Sequence, residues 1–196
     1  NTTVTIKNKN NQYRFKCKLI AEYEIENLLG ALILAKLNGL KINKILENTE
    51  SIKKSKGRLK KISIRTKTLS IYIDYAHTPE ALQKSLVALR LILKLDARLV
   101  LVFGCGGERD KGKRKMMGII AEKFADIVFI TDDNPRNEDP AIIRNEIATY
   151  CKKSINVDGR KKAISKAISI MKKNDILLIA GKGHEKTQEI KGKVLL

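Results

Sequence analysis

Four polar clusters hold the side chains with chemistry in this sequence. They are Asp74-Tyr75-Ala76-His77, Gly104-Cys105-Gly106-Gly107-Glu108-Arg109-Asp110, Asp132-Asp133-Asn134-Pro135-Arg136 and Gly181-Lys182-Gly183-His184-Glu185. In the third, Asp133 and Asn134 can accept from an ammonium group, while Arg136 can form a bidentate pair with a carboxylate. That combination suits a zwitterionic amino acid. Pro135 fixes its own φ and pushes Asn134 toward an extended backbone, which limits how far the set can move. Taken alone, the same stretch reads better as an Asx-Pro turn capping the next helix. The glycine cluster at 104–107 has the form of a phosphate-binding turn, with Arg109, Lys111, Lys113 and Arg114 close behind it. It lacks the third glycine of GxGxxG, and no Walker sequence occurs, so a flexible connection with a solvated basic face is the alternative. The cluster at 181–185 offers backbone amides, a carboxylate and one of the two histidines of the chain. Cys105 reads as a packing residue, because no base and orienting partner accompany it. Asn27 and Arg58 have nothing in their local chemistry that lifts them above an ordinary helix-start Asn and linker Arg.

The elements around these clusters decide whether they meet. Val4–Lys7 and Tyr13–Leu19 flank a polar turn, as in a hairpin. Apolar residues at helical spacing predict helices over Ile25–Leu37 and, in outline, Asn43–Ser51, and Lys53–Arg65 reads as a basic linker. From Thr68 onward, strands at Leu69–Ile73, Leu99–Phe103, Ile127–Thr131 and Ile176–Ala180 alternate with helices at Pro79–Lys94, Lys115–Phe124, Ala141–Cys151 and Arg160–Met171. Strands this continuously apolar belong to a parallel sheet covered by helices on both faces. The expected fold is therefore α/β and Rossmann-like. Each cluster directly follows one of its strands, and in an open parallel sheet the ligand crevice lies beyond the carboxyl ends of the strands. All four would meet on one edge.

The bulk composition narrows the class. With 43% hydrophobic residues, the 196-residue chain can bury a core. Its net charge of +19 attracts polyanions. Only 10 of the 40 basic residues are Arg, the lysines are spread along the chain, and aromatics at 5% leave few stacking platforms. A solvated lysine-rich surface follows, with a basic nucleic-acid-binding module as the rival from another class. Cys17, Cys105 and Cys151 are an odd number without a CxxC pair, so neither a disulfide framework nor a zinc site is expected, and a reducing cytosol fits. No apolar run reaches membrane-spanning length. The opening Asn1 suggests a start inside a longer protein.

Asp74-Tyr75-Ala76-His77-Thr78-Pro79, Phe103 to Arg114, Thr131-Asp132-Asp133-Asn134-Pro135-Arg136 and Ala180-Gly181-Lys182-Gly183-His184-Glu185, in this order and spacing, resemble the Mur ligases. Leu19 to Arg58 resembles the end of that family's central domain more loosely. The resemblance implies that residues 1–66 form a partial segment of the central ATP-binding domain and 67–196 a C-terminal domain truncated at its end. It implies a peptidoglycan-precursor ligase using ATP and Mg²⁺. The terminal carboxylate of UDP-N-acetylmuramoyl-L-alanyl-D-glutamate is phosphorylated, and an amine of meso-2,6-diaminopimelate attacks the acyl phosphate. Carried over residue by residue, Arg109, Asp133, Asn134, Pro135, Arg136, Gly181 and Glu185 hold the diaminopimelate, with Arg136 on its distal carboxylate. Lysine-adding relatives lack that arginine. Asn27, Arg58, Asp74, His77 and Lys113 approach ATP, with Asp74 suited to a ribose hydroxyl. The stretch departs from the family at Ala21, Glu24, Lys56 and Lys60. It contains no assigned catalytic residue or metal ligand, and the family's P-loop, carbamylated lysine and UDP-sugar domain have no counterpart in it. It is therefore expected to be inactive alone. A cytoplasmic monomer with no membrane or specific nucleic-acid partner is implied. The rivals within reach of the resemblance are a ligase adding L-lysine or another diamino acid, and a folylpolyglutamate synthase.

Overall fold

Apolar strands and one-sided helices in the larger, later part of the chain assemble a mostly parallel sheet, while the first part builds a smaller structure of its own. The computed structural model describes residues 2–8, 11–62 and 69–195, in two compact units, Asn1–Ser55 and Lys56–Leu196.

In the first unit, β1 (Thr2–Asn8) and β2 (Asn11–Cys17) pair antiparallel as the alternation predicts. Helix α1 (Glu22–Leu37) begins three residues before the apolar period does, because Glu24 caps it. The Glu24 carboxylate accepts from the Ile20 and Ala21 amides and pairs with Lys54 at 3.0 Å. Phe15, Cys17, Leu19, Leu28 and Leu32 form the core. The expected helix over 43–51 is instead α2 (Ile42–Glu47) followed by a 3-10 turn at Thr49–Ser51. The Thr49 hydroxyl lies 2.7 Å from Leu46 O and 2.8 Å from Lys16 O, side-chain bonding that competes with helix continuation.

The second unit runs β3 (Lys60–Ile62), β4 (Ser70–Asp74), α3 (Pro79–Ile92), β5 (Leu99–Phe103), α4 (Gly112–Phe124), β6 (Ile127–Ile130), α5 (Pro140–Ala148), β7 (Ser154–Asn156), α6 (Arg160–Ser169), β8 (Ile176–Ala180), β9 (Gln188–Ile190) and β10 (Lys193–Leu195). The sheet order is β3-β4-β8-β5-β6-β7, parallel except for the antiparallel edge strand β3. Every residue of β5 and β8 is buried, as strands covered on both faces must be. Val100, Val102, Phe129, Leu177 and Ile179 pack with Ala163 and Ala167 of α6. The alternate residues point the other way, toward the face where α3, α4 and α5 lie side by side. Thr78 caps α3 by accepting from the Ala81 amide, and Asp139 caps α5 by accepting from Ala141, each followed by proline at the first helical position.

Four strands, β3, β7, β9 and β10, have no counterpart among the sequence-based expectations. β3 lies inside the stretch read as a linker; its remaining residues 63–65 fall outside the described set. At three residues each, β3 and β7 are too short to show a period. β9 and β10 form a separate antiparallel hairpin. At the amino ends of the strands, Asp175 accepts from the Arg98 and Lys172 amides and from the Arg98 guanidinium, tying β8 to β5. Among the described residues, no helix is long and apolar enough to cross a membrane.

Candidate functional site

Because β8 lies between β4 and β5, with β6 next, the loops after all four strands converge at one edge. They surround a cavity of about 410 Å³ lined by Tyr75, His77, Arg109, Lys113, Asp133, Asn134, Arg136, Gly181 and Glu185, among others. Two glycines permit the close approach. A Cβ on Gly104 would lie 2.1 Å from Thr131 O, and one on Gly107 would lie 2.0 Å from Pro135 O. The Gly107 amide donates to Asn134 O at 2.9 Å, clamping the β5 loop to the β6 loop.

Arg136 sits at φ +52°, a left-handed conformation uncommon outside glycine. The hairpin holds it there: its amide donates to Glu189 O, and its carbonyl accepts from the Lys191 amide. Its Nη1 donates to Gly107 O at 2.7 Å, and its Nε lies 3.2 Å from the Glu189 carboxylate. Asn134 is held as firmly. Its Oδ1 accepts from Lys182 Nζ at 2.7 Å and from the Glu189 amide at 3.0 Å. Both partners are donors only, which fixes the oxygen end of the amide. The expectation that Asn134 accepts from a ligand ammonium is thereby corrected: its acceptor is occupied by the protein, and its Nδ2, without a hydrogen-bond partner among the described residues, is the end left to a ligand. Asp133 Oδ1 accepts from the Asn134 amide, and Oδ2 crowds Gly181 so closely that a Cβ there would lie 2.8 Å away.

Around the rim, Arg58 lies 5.0 Å over the Tyr75 ring, and His77 meets the same ring edge-on. The nearby Glu185 carboxylate, as hydrogen-bond partner and as charge, holds the Tyr75 phenol above its ordinary value. Behind the acidic pair Asp133 and Glu185, Arg160 donates to Ala180 O at 2.8 Å, and its Nη1 is buried without a hydrogen-bond partner among the described residues. Burial lowers its guanidinium pKa, and the charges of Asp133 and Glu185 oppose that shift. Arg114 does not join the basic face on which the sequence reading set it. It is buried and pairs with Glu138 at 2.9 Å and Glu146 at 2.8 Å, fastening α4 to α5 and the loop before it. Cys105 packs beside Met117, and burial pushes its thiol up to about 12.

Residues 57–183 match the family model described as Mur ligase, glutamate ligase domain. The chain belongs to the Mur ligase family. A UDP-N-acetylmuramoyl-L-alanyl-D-glutamate–2,6-diaminopimelate ligase from Rickettsia montanensis is 43% identical over 188 residues, covering 95% of this chain and 38% of the relative. The protein of that name from Rickettsia felis is 45% identical over 188 residues, covering 95% and 35%. A solved structure of a protein bearing the same name superposes with a TM-score of 0.68 at 33% identity, over 98% of this chain and 39% of that one. The chain thus spans little more than a third of the length of these Mur ligases.

Of the residues given a role by resemblance to the Mur ligases, Arg109, Asp133, Asn134, Arg136, Gly181, Glu185, His77 and Lys113 line the one cavity. Pro135 is buried beneath it, its carbonyl against Gly107. Asp74 is 3% exposed. Its carboxylate accepts from the Leu59 and Ala76 amides and the Ser85 hydroxyl, and its carbonyl from the Gly181 and Gly183 amides. It ties the first and last loops of the site together. Arg58 is exposed beside Tyr75, and Asn27 is exposed on α1 of the first unit. Tyr75, Lys182, Arg160 and Glu189 have no role that follows from the sequence alone. The first two stood inside quoted clusters, whereas Arg160 and Glu189 carried no local signal. Among the described residues there is no group of three His, Cys, Asp or Glu that could hold a metal ion.

Proposed function

We propose that this chain supplies the diamino-acid pocket of an ATP-dependent ligase of peptidoglycan-precursor synthesis, joining meso-2,6-diaminopimelate to UDP-N-acetylmuramoyl-L-alanyl-D-glutamate. In this reading residues 1–66 derive from the ligase's central domain and 67–196 from its C-terminal domain, and the whole protein is a cytoplasmic monomer. The supporting observation is the pairing of opposite charges in one cavity, Arg136 with the Asn134 Nδ2 donor on one hand, and the Asp133 and Glu185 carboxylates on the other. Guanidinium and amide donors bind the carboxylate at one end of the diamino acid, and the acidic pair binds the ammonium beside it. Arg109 and the Gly181 backbone complete the pocket.

The amine at the free end is the nucleophile and must be uncharged to react. The D-glutamate carboxylate attacks the γ-phosphorus of ATP and ADP leaves. The amine nitrogen then attacks the acyl carbon, inorganic phosphate leaves, and the nitrogen loses a proton. This chain's contribution is to hold the amine in place, which lowers the barrier by orientation rather than by proton transfer. His77, Lys113 and Arg58 would lie toward the nucleotide, beside Tyr75. The names of the relatives at 43% and 45% identity agree with this reading.

The test uses the full-length ligase, following phosphate release with meso-diaminopimelate or L-lysine. Arg136→Ala is expected to lower kcat/KM for diaminopimelate by about a hundredfold, the loss typical when a charged hydrogen-bonding partner is removed, while leaving lysine nearly unaffected. Equal use of the two amino acids by the unaltered enzyme would overturn the assignment.

A further inference from the structure

Lys182 does not line the cavity, yet its ammonium touches three residues that do. Nζ donates to Asn134 Oδ1 at 2.7 Å and lies 3.9 Å from Asp133 Oδ1 and 3.7 Å from Glu185 Oε2. It also donates to Thr187 O at 2.7 Å, at the entry to β9. Its side chain is 12% exposed. A lysine has three N–H donors and no acceptor. Here two are engaged on Asn134 and Thr187, and the third can turn only toward the two carboxylates. On either side, Gly181 at φ +112° and Gly183 at φ +53° give the loop the turn that sends this side chain under the site.

We propose that Lys182 is a positioning residue that sets the face Asn134 shows to the diamino acid. The inference rests on the function proposed above. The amide of Asn134 can sit in two orientations of nearly equal shape. In the observed one, Lys182 Nζ and the Glu189 amide both donate to Oδ1, and Nδ2 is offered to the ligand. In the flipped one, an NH₂ group would face two donors, and the ligand carboxylate would meet an oxygen. Each donor–donor clash leaves polar groups unsatisfied, so the ammonium and the backbone amide together bias the side chain toward carboxylate recognition. The same ammonium offsets the mutual repulsion of Asp133 and Glu185, two like charges that must face one ligand ammonium. By binding Thr187 O, it also anchors the chain leading to Glu189, which supplies the second donor. Lys182 thus acts through its neighbours and touches no reacting atom.

The full-length ligase tests this through steady-state constants for each substrate in turn. Lys182→Met is expected to raise KM for meso-diaminopimelate about tenfold or more, the cost of losing a charged hydrogen bond to a partly buried group. KM for ATP and for the nucleotide-linked substrate should stay within about twofold, and kcat should fall less than KM rises, because the reacting centre is untouched. Asn134→Ala should raise the same KM. The decisive variant is the double substitution K182M/N134A, whose loss should be clearly smaller than the sum of the two single losses, because much of the lysine's effect passes through that amide. Fully additive losses, or an equal rise in KM for ATP, would overturn the proposal in favour of a general structural role. If K182M does not fold, the same cycle run with Lys182→Arg carries the test, since a guanidinium keeps donors but not the compact ammonium geometry; additivity there overturns the proposal equally. An unaltered enzyme indifferent to diaminopimelate removes the proposed function itself, whereas a selective enzyme with additive variants removes only the role of Lys182.

Discussion

Gly107 is under a constraint that Gly30 escapes. A methyl at Gly107 would meet the Pro135 carbonyl at 2.0 Å and Glu138 Cβ at 3.2 Å, and neither neighbour is a flexible side-chain end. Gly107→Ala is therefore expected to lower the stability of this chain by about 1–3 kcal/mol, the usual cost of overpacking. Gly30, in the middle of α1, has nothing within 4 Å of the same position. Gly30→Ala should stabilise by up to about 1 kcal/mol through helix propensity. Urea denaturation of the two variants beside the parent separates them, and equal effects would refute the packing argument. At this scale the sequence was informative about residue types and poor about orientation. Asp133, Arg136 and Glu185 could be picked out from their charges and their positions after strands. That Asn134 turns its oxygen inward could not, because its partner Lys182 is 48 residues away and the other donor is a backbone amide. Asp74 shows the same limit: an acidic residue after a strand looks like a ligand, and only the packing reveals Leu59, Ala76 and Ser85 on its oxygens.

Elements with a long apolar period were legible, and those held by side-chain contacts were not. β5 and β8 declared themselves through unbroken apolar runs, and α3 and α5 through capping residues followed by proline. β3, β7 and the β9–β10 hairpin are each made of three-residue strands, too short to carry a period of their own. The joint between β5 and β8 rests on Asp175. Burial alone would push its carboxyl up, but hydrogen bonds from Arg98 and from the Lys172 and Arg98 amides outweigh that and hold it below its ordinary range. The folded chain therefore binds this proton more weakly than the unfolded one. The stabilisation is complete above the unfolded value, about 3.9, and is lost as pH falls through the lower folded value. Asp175→Asn should cost about 2 kcal/mol near neutral pH, a figure reduced from the fully buried case because the Arg98 side chain is 31% exposed. The gap between variant and parent should close toward about pH 3. A gap in denaturation midpoint that does not change with pH would contradict this account.

For the molecule as a whole, the meeting of four loops on one edge followed from the rule for parallel sheets, but the strand order did not. The last strand of the parallel set, β8, returns to sit between β4 and β5. That insertion brings the 181–185 loop beside Tyr75 on one side and Asp133 on the other, a neighbourhood no reading of consecutive elements supplies. The +19 charge likewise said little about the site, since Arg136 and Lys182, two of the cations given work there, are drawn in against carboxylates. The backbone bridge between Arg136 and the β9–β10 hairpin has a thermodynamic consequence. Across that bridge the Arg136 amide donates to Glu189 O and the Lys191 amide donates to Arg136 O, so local opening of the hairpin and release of Arg136 are one event. A ligand that binds only the closed arrangement must deepen its well and slow amide exchange at both positions by the same factor. Hydrogen–deuterium exchange on the full-length ligase, with and without meso-diaminopimelate, should therefore record occupancy at Lys191, a residue outside the cavity lining. Protection confined to the cavity loops would mean that the hairpin opens independently of the pocket it borders.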